Sequence, residues 1–581
     1  MTAQAALLPL AVVFPVIGAV AAPLLARVSR RLPVYAAIVA LVASAVVLLT
    51  LARQVFSGRL LSHFMGNWTP VRNHALGIAF VADPFGMVFA LVSVFIGALL
   101  LVYTLSELGG LGARELGGYA ALFQLLLAAL IGVALTGDLF NLFVWFEVAA
   151  LSSYGLTGFF LERPIALEAS FKLLVLTTIA GFSIFIATGL LYAQHGALNF
   201  GELHAALGGR LRTADVVALG LLIAGYATKA GLVPFHGWLA DAHTAAPGPV
   251  SALFSGLMVN LGIVAIARLT LQVYGPSTSP ILGVLMVVGL VSAVLGAVLA
   301  LAQDDLKRLL AYDTVSQMGA LVVGLATGSG AGVAGAAYHL LNHALFKSLL
   351  FLCAGAIVHR TGVNLLSEMG RLAKHMPGVA AAFVVGAVSI AGLPPLNGYV
   401  SLSLIHQGLA ETHQTVPYVV LVVAQLITVA ALAKAGWLAF VRRRPDDYKW
   451  RARLRPGMAA GLTGLGVCCV AFGALPRLVL DRVIGPAAGA LLDAGAYSRA
   501  ALGQAARSTS PHIPFTYFAG TEIAATGLSI LLGGLLVTGY LRSREPLPVR
   551  LLRSAHNGSV NDYAAYAVAG TVLVVTLLAL A

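Results

Sequence analysis

Apolar residues run through this chain in blocks of twenty or so, and short polar or basic linkers separate the blocks. A helix that crosses a bilayer needs about 20 mostly apolar residues, so the pattern predicts an all-α polytopic membrane protein with about sixteen transmembrane helices. Their ranges are roughly 4–26, 32–52, 79–105, 118–136, 139–161, 166–193, 215–236, 248–272, 279–302, 308–327, 331–358, 377–410, 417–440, 457–476, 516–541 and 562–581. Two blocks carry interruptions. Ala230-Gly231-Leu232-Val233-Pro234-Phe235-His236-Gly237-Trp238 and Ala391-Gly392-Leu393-Pro394-Pro395-Leu396-Asn397-Gly398-Tyr399 each place Gly, Pro and Gly in apolar surroundings, 161 residues apart. A broken helix leaves backbone groups that lipid cannot satisfy, so the break must face protein or water. Paired breaks at Pro234 and at Pro394–Pro395, in corresponding positions of two halves, point to a transport site near mid-membrane. Coincidence in a Gly- and Ala-rich chain is the alternative.

Composition agrees with the pattern. The 581 residues are 59% hydrophobic and 10% charged, against about 25% charged in a soluble domain, and the mean hydropathy is +0.93. The net charge of +13 invites a nucleic-acid reading, but its distribution does not. With the N-terminus outside, the linkers on the cytoplasmic side hold most of the Lys and Arg, densest from Arg442 to Arg455 and again at Arg542, Arg544, Arg550 and Arg553. That is the positive-inside bias of a membrane protein, with anionic lipid as a further partner. The first apolar block lacks a basic segment before it and is followed by Arg27, Arg30 and Arg31, which favours an uncleaved span over a signal peptide. Cys353, Cys468 and Cys469 are too few for a cluster or zinc site. Gly330-x-Gly332-x-x-Gly335 fits a dinucleotide fingerprint, yet it lies between two spans with no strand before it, and is expected to be a loop. No cofactor or metal is expected in this chain.

Ionisable residues inside the spans are the functional candidates, because each is costly in lipid. Glu147 lies inside its span and Lys229 just before the first break. A carboxylate and an ammonium that approach each other stay charged, and each moves toward neutrality when they separate. The pair therefore accepts or releases a proton as its neighbours move; a static ion pair is the alternative. Lys172 follows Glu168 by four residues and either pairs locally or joins the Glu147 path. His339, His343 and Lys347 recur every fourth residue, on one helix face, and histidine passes protons readily near neutral pH. Packed core histidines and a metal site are the rival readings, the latter without a third ligand nearby. Lys434 lies near a span end and is expected to snorkel to the interface. Asp304, Asp305, Lys307, Arg308 and Asp313 fall in or near a linker and are expected to be solvated or capping.

These motifs resemble the antiporter-like subunits shared by respiratory complex I, the Mrp sodium/proton antiporters and membrane-bound hydrogenases such as formate hydrogenlyase. The resemblance spans about residues 75–410. It rests on Gly137–Glu147, Lys229-Ala-Gly-Leu-Val-Pro-Phe-His236 through His243, Asp305–Tyr312 with Ser316–Gly319, Tyr338–Lys347, Pro249–Gly256 and Leu393–Gly398. It implies two inverted five-helix repeats with discontinuous helices, 116–275 and 276–445, flanked by three N-terminal helices in 1–115 and three C-terminal helices in 446–581. It also implies a proton path through Glu147, Lys172, Lys229, His236, His339, His343 and Lys347, and a place in a multisubunit complex of a bacterial or archaeal cytoplasmic membrane. Peripheral redox partners of that family carry iron–sulfur clusters, flavin or nickel. Two positions depart from the pattern: Asn260 and Leu402 stand where family members usually have a charged residue, with His406 or Lys434 as candidate substitutes. The 542–561 linker is too short for the long lateral helix of the distal complex I subunit. The expected function is proton translocation as an antiporter-like subunit, with no redox or catalytic centre of its own. Sodium or potassium exchange for protons is one alternative; a non-pumping scaffold, suggested by Asn260 and Leu402, is another.

Overall fold

The computed structural model describes residues 3–108, 110–208, 211–275, 279–443, 454–517, 520–542, 549, 552, 554–556 and 558–580. Among them fourteen helices are long and apolar enough to cross a membrane. Of the two other predicted spans, 377–410 divides into Pro377–Ile390 and Asn397–Glu411, and 516–541 overlaps the helix Gly520–Arg542. The basic stretch at 444–453 and most of the 542–561 linker lie outside the described residues.

Three helices form the centre. The apolar stretches of Gly248–Val273 and Leu306–Ala326 are wholly buried, and Gly330–Thr361 nearly so. Around them stand helices that turn apolar side chains outward, such as Val20, Leu49, Leu151 and Phe182. So much exposed apolar surface on long helices is the mark of a lipid-facing wall. Inside, helices approach closely through small residues, the usual solution where no hydrophobic effect drives helix against helix. A Cβ on Gly319 would lie 2.4 Å from the backbone nitrogen of Ala293 on the neighbouring helix.

The glycines of the apparent dinucleotide fingerprint serve the same end. They do not form a loop: Ser329 caps a helix that begins at Gly330, its side chain accepting from the Gly332 amide at 3.1 Å. Gly332 faces Gly408, where a Cβ would lie 2.5 Å from the Gly332 Cα, and Gly335 faces the backbone of Ile405. These glycines allow the Gly330–Thr361 and Asn397–Glu411 helices to cross in contact.

A small antiparallel sheet departs from the all-helical expectation. Arg59–Phe64 pairs with Ala79–Ala82 on one side and with Ala506–Arg507 on the other. The predicted 79–105 span therefore begins as a strand. Its helix starts only at Pro84, where proline fits the first turn and Asp83 accepts from the Gly86 amide at 3.0 Å. The Ala/Gly-rich region beyond 484 folds into two short helices, Gly485–Leu492 and Ala494–Ala501. Several of their residues, Ala487, Leu491 and Tyr497 among them, are fully buried. Tyr497 lies 5.0 Å from the guanidinium of Arg268, which is itself bonded to Asp83 at 2.7 Å with neither side chain exposed. Arg268 is thus a fully buried cation inside the predicted 248–272 span, omitted from the candidate ionisable residues.

Both breaks have the same local geometry. Thr213–Ala230 ends in a left-handed Gly231 (φ 69°), with the Leu232 amide bonded back to Ala227 and the Phe235 amide to Leu232. Pro377–Ile390 ends just before a left-handed Gly392 (φ 67°), with Leu393 bonded to Val388 and Leu396 to Leu393. Positive φ costs glycine nothing. Neighbouring side chains complete the backbone: Ser292 accepts from Val233 at 3.0 Å, Trp238 donates to the Thr228 carbonyl at 2.8 Å, and Gln425 donates to the Ala391 carbonyl at 3.0 Å. Each break is then covered by a glycine of a later helix, Gly570 of Val560–Leu580 against Pro234 and Gly473 of Pro456–Ala474 against Pro395.

The Gly473 contact admits no side chain, since a Cβ would lie 2.2 Å from the Pro395 carbonyl oxygen. Gly473→Val is expected to lower the thermal stability of the detergent-solubilised protein by about 1–3 kcal/mol or more. Gly466→Val on the same helix, where a Cβ meets nothing, is expected to leave the melting curve unchanged.

Candidate functional site

A row of buried ionisable side chains runs through the central helices. Lys347 and Asp313, both fully buried, form a direct ion pair, and the Lys347 ammonium also donates to the Leu310 carbonyl at 3.0 Å. One turn before Lys347 on its helix comes His343, both of whose ring nitrogens are buried without a hydrogen-bond partner. One turn further, the His339 ring centroid lies 6.4 Å from that of His343. His339 meets Ser401 at 3.0 Å through Nδ1 and Gln317 at 3.1 Å through Nε2. The spacing of four thus stacks the three groups as the sequence suggests.

In the other direction the row continues through residues that sequence reasoning did not single out. His243 is fully buried, stacks on Phe351 at 4.7 Å, and lies in the field of both Lys347 and Lys307. Its two nitrogens also lack partners. Lys307 donates to the Ala246 carbonyl at 2.8 Å and faces Glu107, which is buried against Gly248. Glu107, Lys307, His243, Lys347–Asp313, His343 and His339 therefore follow one another across the bundle. Lys307 and Asp313 are not solvated as expected, whereas Asp305 does cap its helix, accepting from the Arg308 amide at 2.9 Å. A signal for Asp313 was present: it sits as deep in Leu306–Ala326 as Glu147 does in Leu139–Thr157. Proximity of that helix to a basic linker masked it.

The remaining predicted residues fall beside this row. Lys229 is fully buried, 3.4 Å from the Ser153 hydroxyl and 5.6 Å from the Phe146 ring centre. Glu147 is half-buried against Gly181. Among the described residues no salt bridge joins Glu147 to Lys229, so they are electrostatic neighbours and not a contact pair. Lys172 takes its local option, bonding Glu168 at 2.6 Å and also Asp241 at 2.9 Å. His236 is buried and meets His556 at 2.9 Å. Asn260 donates to the carbonyls of Gly256 at 2.8 Å and Leu340 at 3.4 Å, which places it against the histidine helix with its own oxygen unpaired. Leu402 is buried against the Gly392 backbone. His406, one turn on, is buried beside Tyr418 and borders a cavity of about 600 Å³ that Ser403, Gln407, His413 and Gln414 also line. Lys434 does not snorkel. It is buried and donates to the carbonyls of Leu301 and Gln303 (the latter at 2.6 Å), groups left without partners where Ser279–Ala302 ends. No group of three or more His, Cys, Asp or Glu among the described residues is arranged to hold a metal.

The ion pair at the centre has a measurable signature. Removing one partner leaves an uncompensated buried charge, at a cost of about 3–5 kcal/mol, whereas removing both does not. Asp313→Asn is expected to destabilise the protein more than Asp313→Asn combined with Lys347→Met, in thermal unfolding of the detergent-solubilised protein. Equal losses in the two variants would show that the pair is not coupled.

Comparison with known proteins places this arrangement. Residues 136–428 match the family described as NADH:quinone oxidoreductase/Mrp antiporter, TM. NADH-quinone oxidoreductase subunit N of Desulforudis audaxviator is 35% identical over 495 residues, which cover 82% of this chain and 97% of that protein. A Na(+)/H(+) antiporter subunit of Bacillus subtilis is 30% identical over 384 residues, covering 66% and 76%. A chain of the Mrp complex from Dietzia sp. superposes with a TM-score of 0.77 at 28% identity, covering 87% of this chain and all of that one. This chain belongs to the NADH:quinone oxidoreductase/Mrp antiporter transmembrane family and is an antiporter-like, multi-pass membrane subunit of that kind.

Proposed function

We propose that this subunit translocates protons along its central row as part of a larger membrane complex. The observation that carries the reading is the unbroken succession of buried ionisable groups from Glu107 through Lys307, His243, Lys347–Asp313 and His343 to His339. Ionisable residues kept inside apolar helices are expensive and mark ion pathways. In this reading Glu147 and Lys229 form the gate. They are near enough for each to influence the other's charge, yet not bonded, so a small movement changes the charge that either one holds. His339, His343 and Lys347 relay, with Asp313 as counter-charge. The unpartnered nitrogens of His343 and His243 are where water or a proton would enter the chain of transfers.

The two breaks support the division into repeats at 116–275 and 276–445, and the Lys and Arg distribution supports an N-terminus outside with the basic linkers cytoplasmic. The partners are other membrane subunits, and the redox-driven members of the family add peripheral subunits with iron–sulfur clusters, flavin or nickel. A second reading, exchange of sodium or potassium for protons, is favoured by the likeness to an Mrp complex. Asn260 and Leu402 favour a third, a non-pumping anchor, because neither side chain titrates.

The test uses the purified native complex in lipid vesicles, with a pH-sensitive dye to follow proton movement under an imposed membrane potential and on addition of Na⁺ or K⁺. Glu147→Gln and Lys229→Ala are each expected to abolish proton movement while the complex still assembles. Unchanged movement in both variants overturns the gate, and no movement in the wild-type complex favours the anchor. Movement that appears only when Na⁺ or K⁺ is added assigns cation exchange.

A further inference from the structure

The last described helix brings a histidine to the first break. His556 precedes Val560–Leu580, lies beyond the family match of 136–428, and is half-buried. Its Nδ1 contacts the Leu552 carbonyl at 2.7 Å. A carbonyl oxygen only accepts, so that nitrogen carries a hydrogen. The nitrogen that gains and loses a proton is therefore Nε2, and it faces Nε2 of His236 at 2.9 Å. A nitrogen–nitrogen hydrogen bond holds one proton, with a seat on either ring. On the far side of His236, Nδ1 is buried and has no partner.

The surroundings are polar and charged in a way that packing alone does not require. Tyr312 lies 6.3 Å from the His236 ring and 5.9 Å from that of His556, and Tyr563 lies 6.4 Å from His556. Behind them stands a net of Glu168, Lys172, Asp241 and Arg308, joined by three ion pairs. The net's two cations and two carboxylates balance, so the histidine pair faces no net charge from it. Burial draws His556 below the usual histidine range, with the Leu552 carbonyl opposing.

We propose that His556 is a proton-relay residue, passing protons between the partly exposed start of the Val560–Leu580 helix and His236 at the first helix break. This rests on the proton-translocating reading above. With the His236 hydrogen on Nδ1, so that its Nε2 is an acceptor, a proton arriving on Nε2 of His556 makes that ring an imidazolium. Its Nε2–H bond breaks as an Nε2–H bond forms on His236. His556 returns to its neutral Nδ1–H form, and His236 holds both protons until it releases the one on Nδ1 to a water molecule on its inner side. Exchange of the Nε2 hydrogen for one on Nδ1, given to and taken from the same inner water, returns His236 to its starting tautomer. The path thus has a mouth built from the C-terminal helix, outside the repeats.

The alternative is that His556 only latches the C-terminal helix over Pro234. Three variants of the native complex in vesicles separate the two. His556→Gln keeps a hydrogen-bonding group toward His236 but carries no proton. His556→Ala removes both functions and leaves room for free imidazole. Lys347→Ala reports whether the central row conducts. Relay predicts that proton movement falls about tenfold or more in both His556 variants, the order lost with a positioned proton-transfer group, and that added imidazole restores it in His556→Ala. Normal movement in His556→Gln, or loss in His556→Ala that imidazole does not relieve, overturns the relay. If the wild-type complex moves protons and Lys347→Ala stops them while His556→Gln does not, this proposal alone fails. If the wild-type complex moves none, both readings fail together.

Discussion

Everything in this fold follows from one requirement: a polar group inside the bilayer must find its partner within the protein. The Lys347–Asp313 pair meets it most directly. Two full charges sit in the most enclosed helices of the bundle, and each is tolerable only because of the other. The pair draws Leu306–Ala326 against Gly330–Thr361, and the same two helices position Gln317 and His339. The structure thus places ionisable groups in register using the interaction that makes their burial possible. Arg268 with Asp83 repeats the device nearer the edge. There it ties a central helix to the helix start beside the small sheet, and Gln272 links the same site to the Ala490 carbonyl.

The breaks obey the same rule for backbone. Each interrupted helix leaves amides and carbonyls that a continuous helix would satisfy itself, and Ser292, Trp238 and Gln425 supply the missing partners. Lys434 does the same for the end of Ser279–Ala302. Glycine then closes the surface. Gly570 and Gly473 let a later helix lie directly on each proline turn, so the C-terminal helices complete the repeats instead of standing apart from them. That explains how a residue as distant in sequence as His556 comes to touch His236.

Hydrophobic blocks made the helical membrane fold legible, because length and apolarity are properties of single segments. The breaks were legible for the same reason, and so was the His339–His343–Lys347 face, which one helix fixes by itself. What stayed hidden depends on which segments meet. Asp313 looked like a linker residue until Lys347, 34 positions on, turned out to be its partner. Lys434 looked like a snorkelling end residue because the carbonyls it caps belong to another helix. The glycines at 332 and 335 resembled part of a nucleotide fingerprint because close backbone approach demands glycine whether the approaching group is a phosphate or a helix. Strand Ala79–Ala82 was read as the start of a span because an apolar run of four residues has no period long enough to tell strand from helix.

The two departures from the family pattern acquire a physical meaning once placed. Asn260 follows a π-helical turn, Phe254–Met258, and directs its donor at the carbonyls of Gly256 and Leu340. It therefore braces the histidine helix while leaving an acceptor inside, which a proton-carrying neighbour or a water can use. Leu402 packs on Gly392 and seals the second break against the core. A titratable side chain there would need a polar partner, and the Gly392 backbone offers a surface that suits leucine better. One turn along the same face, His406 borders the cavity that Ser403 and Gln414 also line. Position 402 thus completes the packing of the break, and the polar side chains of this helix, Ser403, His406 and Gln407, gather one turn on around the cavity.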